Sequence, residues 1–142
     1  MFTFREVDIN SEEDQLELYG ILQKRMFNIS HKDLPSFKEH ISFVKKNSYR
    51  KWYLITDNNK KIIGSTYITN TNSIGISIPK PTKILYKKVI KDILKNHSPL
   101  ESIKSIRSSH FLVNLSPHDE ILREVLEELN FEHIQNTYAY IV

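Results

Sequence analysis

Residues 51–78 constrain the fold more than any other part of the chain. Residues 51–57 (Lys-Trp-Tyr-Leu-Ile-Thr-Asp) and 61–69 (Lys-Ile-Ile-Gly-Ser-Thr-Tyr-Ile-Thr) are rich in aromatic and β-branched side chains and flank Asn58-Asn59. Asparagine tolerates the positive φ that tight turns require, so the two segments read as a hairpin. Residues 73–78 follow after Asn70-Thr71-Asn72 as a third strand. An antiparallel sheet of this kind needs cover on its faces, and the flanking segments must supply it.

Upstream, residues 2–7 roughly alternate and read as a strand. Asn10 or Ser11 caps a helix with Glu12, Glu13 and Asp14 in its first turn, where carboxylates favour the helix dipole. Leu18, Ile21, Leu22 and Met26 form its apolar face, and it is expected to end near Asn28. After a loop over 29–35, Ser36 and Glu39 spell a capping box for a second helix, with Phe37, Ile41 and Val44 on one face. Downstream, a helix is expected over 82–97 (Leu85, Val89, Ile90 and Ile93 apolar) and a strand over 107–115. Pro117, with Ser116 as cap, opens a last helix carrying Leu122, Val125, Leu126 and Leu129. Residues 131–142 read as a closing strand; its partner, in the same chain or in a second subunit, stays open. The order β, α, α, β, β, β, α, β, α, β predicts an α/β fold: a mostly antiparallel mixed sheet flanked by about four helices. No repeat or linker divides the chain, so one domain over 1–142 is expected.

The chain has 142 residues and no cysteine, which excludes a disulfide framework, a thiolate nucleophile and a Cys-ligated metal. Its six histidines show no ligand spacing, so no metal site is expected. No signal-peptide pattern and no run of 18 apolar residues occurs, so a cytoplasmic protein without a membrane partner is expected. The net charge is +3, from 20 Lys and Arg against 17 Asp and Glu. Its distribution is uneven: Lys80, Lys83, Lys87, Lys88, Lys91 and Lys95 face one acid, Asp92, whereas 119–132 is acidic apart from Arg123. The aromatic residues do not interleave with these lysines, which disfavours nucleic acid as a partner. Ser109 and Ser116 lie beside His110 and His118, but no G-x-S-x-G elbow surrounds either serine.

Several stretches, in this order, resemble the GNAT superfamily of acyl-CoA-dependent N-acetyltransferases. Trp52-Tyr53-Leu54-Ile55 and Ile62-Ile63-Gly64-Ser65-Thr66-Tyr67-Ile68 are similar to its second and third strands. Ser73-Ile74-Gly75-Ile76-Ser77-Ile78 is similar to its fourth. Phe111-Leu112-Val113-Asn114-Leu115-Ser116-Pro117, followed by Leu126-Glu127-Glu128-Leu129-Asn130-Phe131, resembles its fifth strand and the next helix. Residues 31–44 resemble the second helix of members acting on amino-sugar nucleotides and similar small amines. The resemblance implies acetyl-CoA as acyl donor and a small amine, such as an amino sugar, as acceptor. It implies that the backbone of Ile76, Ser77 and Ile78, with Asn114 across a gap, holds the pantetheine arm. Lys80, Thr82 and Lys83 would hold phosphates at a helix start. A homodimer is compatible with it.

The chain departs from the family where phosphates bind. The usual Q/R-x-x-G-x-G/A loop is replaced by Pro79-Lys80-Pro81-Thr82-Lys83-Ile84-Leu85, which has no glycine and two prolines without N–H groups. The family's frequent Tyr acid aligns with Leu126, its Asn after the Pro with Asp119, its Ser with Leu122, and its final Gly with Asn130, which tolerates the same left-handed helix end. No carboxylate stands in 73–78. His31, His40, Tyr67, Tyr138 and Tyr140 are the remaining acid–base candidates, with His40 and Tyr138 taken as catalytic; for each, plain packing is the competing role. Three functions follow: an N-acetyltransferase, a catalytically inactive binding protein of the same fold, or, least favoured, a nucleic-acid-binding domain.

Overall fold

The computed structural model describes residues 2–25 and 34–142. Its elements are β1 (Thr3–Glu6), α1 (Glu12–Lys24), α2 (Phe37–Lys46), β2 (Lys51–Thr56), β3 (Ile62–Ile68), β4 (Ser73–Ser77), α3 (Lys83–Asn96), β5 (Leu112–Val113) and α4 (Glu120–Glu128). The five strands form one sheet in the order β1-β2-β3-β4-β5. The first four pair antiparallel and β5 joins parallel to β4, as the intervening helix α3 requires. This is the mixed α/β sheet with four helices that the sequence predicts.

The sheet's two faces bury separate clusters. Ile55, Ile68, Ile74 and Ile78 meet Leu85, Tyr86, Val89, Ile90 and Ile93 of α3 and Leu122, Val125 and Leu126 of α4. On the other face, Leu54 meets Leu18 and Ile21 of α1 and Val44 of α2. Burying each large aliphatic side chain stabilises the fold by roughly 1.5–3 kcal/mol, so these stripes fix which helix covers which face. Gly64 lies where the backbone packs closely: a Cβ there would stand 2.8 Å from the Ser77 carbonyl oxygen.

Local signals set the helix starts. The Ser11 hydroxyl accepts from the Asp14 N–H, and Ser36 and Glu39 close the expected capping box. The Asp14 carboxylate accepts two bonds from the Arg5 guanidinium (2.8 and 3.0 Å) and one from the Asp8 N–H (2.8 Å), tying α1 to β1. Arg5 and the Asp8 amide hold the Asp14 carboxyl below its ordinary range against the opposing pull of burial. Helix α1 closes at Lys24; the rest of its expected span, Met26 to Asn28, lies outside the described residues, as does His31.

Four expectations need correction. Positive φ at the β2–β3 turn falls on Lys60, not on an asparagine, because the Asp57 carboxylate accepts the N–H groups of Asn59 and Lys61 and shapes the turn. Helix α4 starts at Glu120 with Asp119 as cap; Ser116 instead accepts from the His118 N–H in the preceding turn. The strand expected over 107–115 shrinks to Leu112–Val113, because the segment before it is held as a turn with an isolated bridge between Ile103 and Arg107. Residues 131–142 form no strand. Strand propensity measures fit to a paired, half-buried surface, and none of the described strands pairs with this segment.

Candidate functional site

Beyond Ile74, the sheet opens between β4 and β5. Their ladder holds two pairs, Ser73 with Leu112 and Ile74 with Val113, although β4 continues to Ser77. The β3 register decides which backbone groups face the opening. Thr69 N–H bonds the Ser73 carbonyl (2.9 Å), so odd-numbered residues of β4 exchange bonds with β3 and even-numbered ones point away. Consistently, the Leu112 N–H reaches the Asn72 carbonyl on that far side (2.9 Å). The N–H and C=O of Ile76 therefore face the opening without a ladder partner. Ile78 continues the same alternation, whereas the backbone of Ser77 belongs to the β3 ladder. Asn114, one residue past the last ladder pair, is exposed on the opposite bank.

Helix α3 begins just beyond this opening. The Thr82 hydroxyl accepts from the Leu85 N–H at 3.1 Å and caps the helix. The N–H groups of Lys83 and Ile84 have no acceptor within the helix, as at any helix start. Leu85 is buried in the core, while Ile84 is 75% exposed, so neither side chain plugs the helix start. Lys80 is exposed. Lys83 is committed elsewhere: it pairs with Glu128 at 2.6 Å and Glu124 at 3.8 Å, and Lys87 pairs with Glu128 at 2.7 Å. The basic and acidic stretches of the sequence thus meet as α3 against α4, in exposed ion pairs that neutralise part of the basic face. The opening fits an extended acyl-thioester arm, because Ile76 offers it a donor and an acceptor as an added strand would. The phosphate end is sparser, with two helix N–H groups, Lys80 and no glycine nest.

The two residues taken as catalytic sit apart from this opening. His40 is 5% exposed on α2, packed against the rings of Tyr19 (5.2 Å) and Phe37 (6.5 Å). Burial lowers its pKa, opposed by a hydrogen bond with the Gln15 backbone. Its Nε2 is buried without a hydrogen-bond partner among the described residues. Tyr138 lies on the segment after α4 and is 90% exposed. No described hydrogen bond joins either residue to β4 or β5. Leu126, aligned with the family's usual acid, is core. Asp119 accepts from the Leu122 N–H and from the buried Tyr86 hydroxyl at 3.0 Å, linking α3 to the α4 cap. Burial, then the Asp119 charge, pushes the Tyr86 hydroxyl pKa up.

Two features escaped sequence reading. Asn72 is fully buried at φ 65°. Its side-chain amide donates to the carbonyls of Leu100 (3.0 Å) and Ser108 (2.8 Å), and its side-chain oxygen accepts from the Leu100 N–H (2.7 Å). It thereby holds the turn before β5 and sets where the opening begins. The second is a ring stack on the α1–α2 face of the sheet. Tyr49 stacks on Tyr67 (4.0 Å, interplanar 6°) and meets Trp52 edge-on. The Tyr67 ring lies over Gly75, where a Cβ would collide with it. The only signal in the sequence was a glycine in the fourth strand.

No family model and no curated protein matches this chain. Solved structures do. A domain from Methanocaldococcus jannaschii DSM 2661 superposes with a TM-score of 0.66 at 16% identity, over 96% of this chain and 92% of that one. AAC(6')-Iy, in complex with the bisubstrate analogue CoA-S-monomethyl-acetylneamine, gives 0.63 at 12% identity over 100% and 98%. The dodecameric spermidine N-acetyltransferase from Vibrio cholerae gives 0.59 at 15% over 94% and 81%. The chain shares the fold of these solved structures. At these identities the likeness concerns the fold, and the chemistry has to be argued from the site.

Proposed function

We propose that this protein is an acyl-CoA-dependent N-acetyltransferase acting on a small amine. The observation that carries the reading is the opening beside β4, where the Ile76 backbone is left unpaired next to the free start of α3. The likeness to AAC(6')-Iy in complex with a CoA-based bisubstrate analogue supports it. Acetyl-CoA would supply an activated acyl group on a thioester. Ile76 and Ile78 would hold the pantetheine arm by their backbones, with Asn114 facing them. Lys80, Thr82 and the first N–H groups of α3 would attract the phosphates, with Lys83 contributing after exchange from Glu128.

In the reaction a nitrogen–carbon bond forms, the carbon–sulfur bond breaks, and one proton must pass from the amine towards the leaving thiolate. β4 carries no carboxylate, so positioning and water do most of this work. Water carries the proton in this reading, because His40 is buried on α2 and Tyr138 stands apart from the opening. An amino sugar is the favoured acceptor class, on the resemblance of residues 31–44 alone. The reading is tested by incubating the protein with acetyl-CoA and a panel of amino sugars, polyamines and aminoglycosides, and following free thiol. Thiol release above the amine-free rate supports it; none with any amine defeats it.

A second reading, a binding protein of the same fold without turnover, draws on Pro79, Pro81 and the core position of Leu126. Binding of CoA with no thiol release across the panel would favour it.

A further inference from the structure

The opening beside Ile76 is a wedge. Its wide end lies towards the start of α3, and its narrow end at Ile74 and Val113, where β4 and β5 still pair. On the acyltransferase reading, phosphates at the wide end send the extended arm along Ile78 and Ile76, so the thioester stops at the narrow end. One face of the sheet is closed there, because Ile74, Ile78, Val113 and Leu115 pack into the core that α3 and α4 cover. Side chains alternate along a strand, so Ser73, Gly75 and Ser77 turn to the other face, as does Asn114. The amine must approach from this second face, over small side chains.

The Tyr67 ring reaches the same point. Tyr67 and Gly75 are direct partners in the ladder between β3 and β4. The atom nearest to where a Gly75 Cβ would stand is Tyr67 Cζ, the carbon that bears the hydroxyl. The ring thus starts above β3 and ends above β4, and its hydroxyl points on past β4 towards β5. Continuing the register between β4 and β5 by one residue sets Asn114 opposite Gly75. The hydroxyl is therefore aimed at the narrow end of the wedge, between Gly75 and Asn114. Tyr49, stacked on the ring at 4.0 Å and 6°, holds it flat. Glycine at position 75 leaves the room, since a Cβ there would push the ring away.

We propose that Tyr67 is the catalytic acid of this site and donates its hydroxyl proton to the departing thiolate. The inference rests on the acyltransferase reading and supplies the acid which that reading leaves unassigned, Leu126 being core and Tyr138 standing apart. The amine nitrogen bonds to the acyl carbon, the carbon–sulfur bond breaks, and the sulfur takes the Tyr67 proton. Water takes the proton that the amine loses and returns one to the phenolate, so the protein ends as it began.

Tyr67→Phe keeps the ring, its stack on Tyr49 and its fit over Gly75, and removes the hydroxyl alone. Parent and variant are compared by thermal unfolding with and without acetyl-CoA, and by kcat and KM for thiol release across the same amine panel. The expected result is an equal rise of the midpoint with acetyl-CoA, an unchanged KM and a kcat lower by roughly 100-fold, within the usual range for one acid or base. A variant with the parental kcat overturns the assignment and leaves the acyltransferase reading standing. A variant that loses the acetyl-CoA rise, or raises KM at the parental kcat, places the hydroxyl in binding and overturns the assignment too. A parent chain that releases no thiol with any amine defeats the acyltransferase reading itself, and the assignment falls with it.

Discussion

Asn72 joins three hydrogen bonds, complete burial and a positive φ in one residue. Alanine would lose the bonds, leave two carbonyls and an amide without their partner, and suffer in the left-handed region. Each unmade buried bond costs about 1–3 kcal/mol. Asn72→Ala is expected to lower the urea-unfolding free energy by about 3 kcal/mol or more. Asn72→Gly, which accepts the φ, should still lose most of it; full recovery with glycine would assign the effect to the backbone alone. Gly75→Ala should dislodge the Tyr67 ring and cost about 1–3 kcal/mol, with part of the loss returned when Tyr67→Ala is added. Titration separates two further residues. His40 has its folded pKa lowered below 6.5, so its contribution is complete above that value and declines as pH falls through the folded pKa. Asp14 is lowered from 3.8, so its contribution is complete above that value and is lost at still lower pH. Urea midpoints measured from about pH 7.5 to about pH 3 should therefore fall in two stages. His40→Gln should flatten the upper stage and Asp14→Asn the lower one.

At the scale of elements, the sequence was legible wherever a local rule decided the outcome. The capping box of Ser36 and Glu39, the Asp-Glu start of α1, the stripe Leu85–Val89–Ile93 and the strands from Lys51 to Ser77 all appear where periodicity and caps put them. Asn130 takes the left-handed φ expected at the end of α4. Reading failed where a distant group decides. β5 is short because an asparagine some 40 residues earlier holds the chain before it. The last segment looked like a strand because its residues suit one, but a strand also needs an edge to pair with. For the site, the resemblance pointed to the backbone of Ile76, Ser77 and Ile78 and to Asn114, without telling which of them face β3, and the commitment of Lys83 to Glu128 was not legible, since nothing in a sequence says which acid a lysine will meet. Exposed pairs of this kind contribute little to stability. Glu128→Gln should thus leave the unfolding midpoint nearly unchanged, while freeing Lys83 and tightening CoA binding at low salt; weaker binding would count against a phosphate role for Lys83.

At the scale of the whole molecule, two faces of one sheet are divided between two pairs of helices, and the seam between β4 and β5 is where that sheet is left incomplete. The same seam joins the start of α3 to the unpaired backbone of Ile76, and this conjunction, more than any single side chain, underlies the acyl-CoA reading. The most direct measurement is thermal unfolding of the chain and of Ile76→Pro with and without millimolar acetyl-CoA. A ligand at about 100 times its dissociation constant adds about 2.7 kcal/mol, enough to raise the midpoint by several degrees. The expected result is such a rise in the parent chain, reproduced by free CoA and abolished in the folded proline variant, which lacks the donor facing the opening. No rise in the parent chain, or an equal rise in the variant, would contradict the claim that β4 holds the acyl carrier.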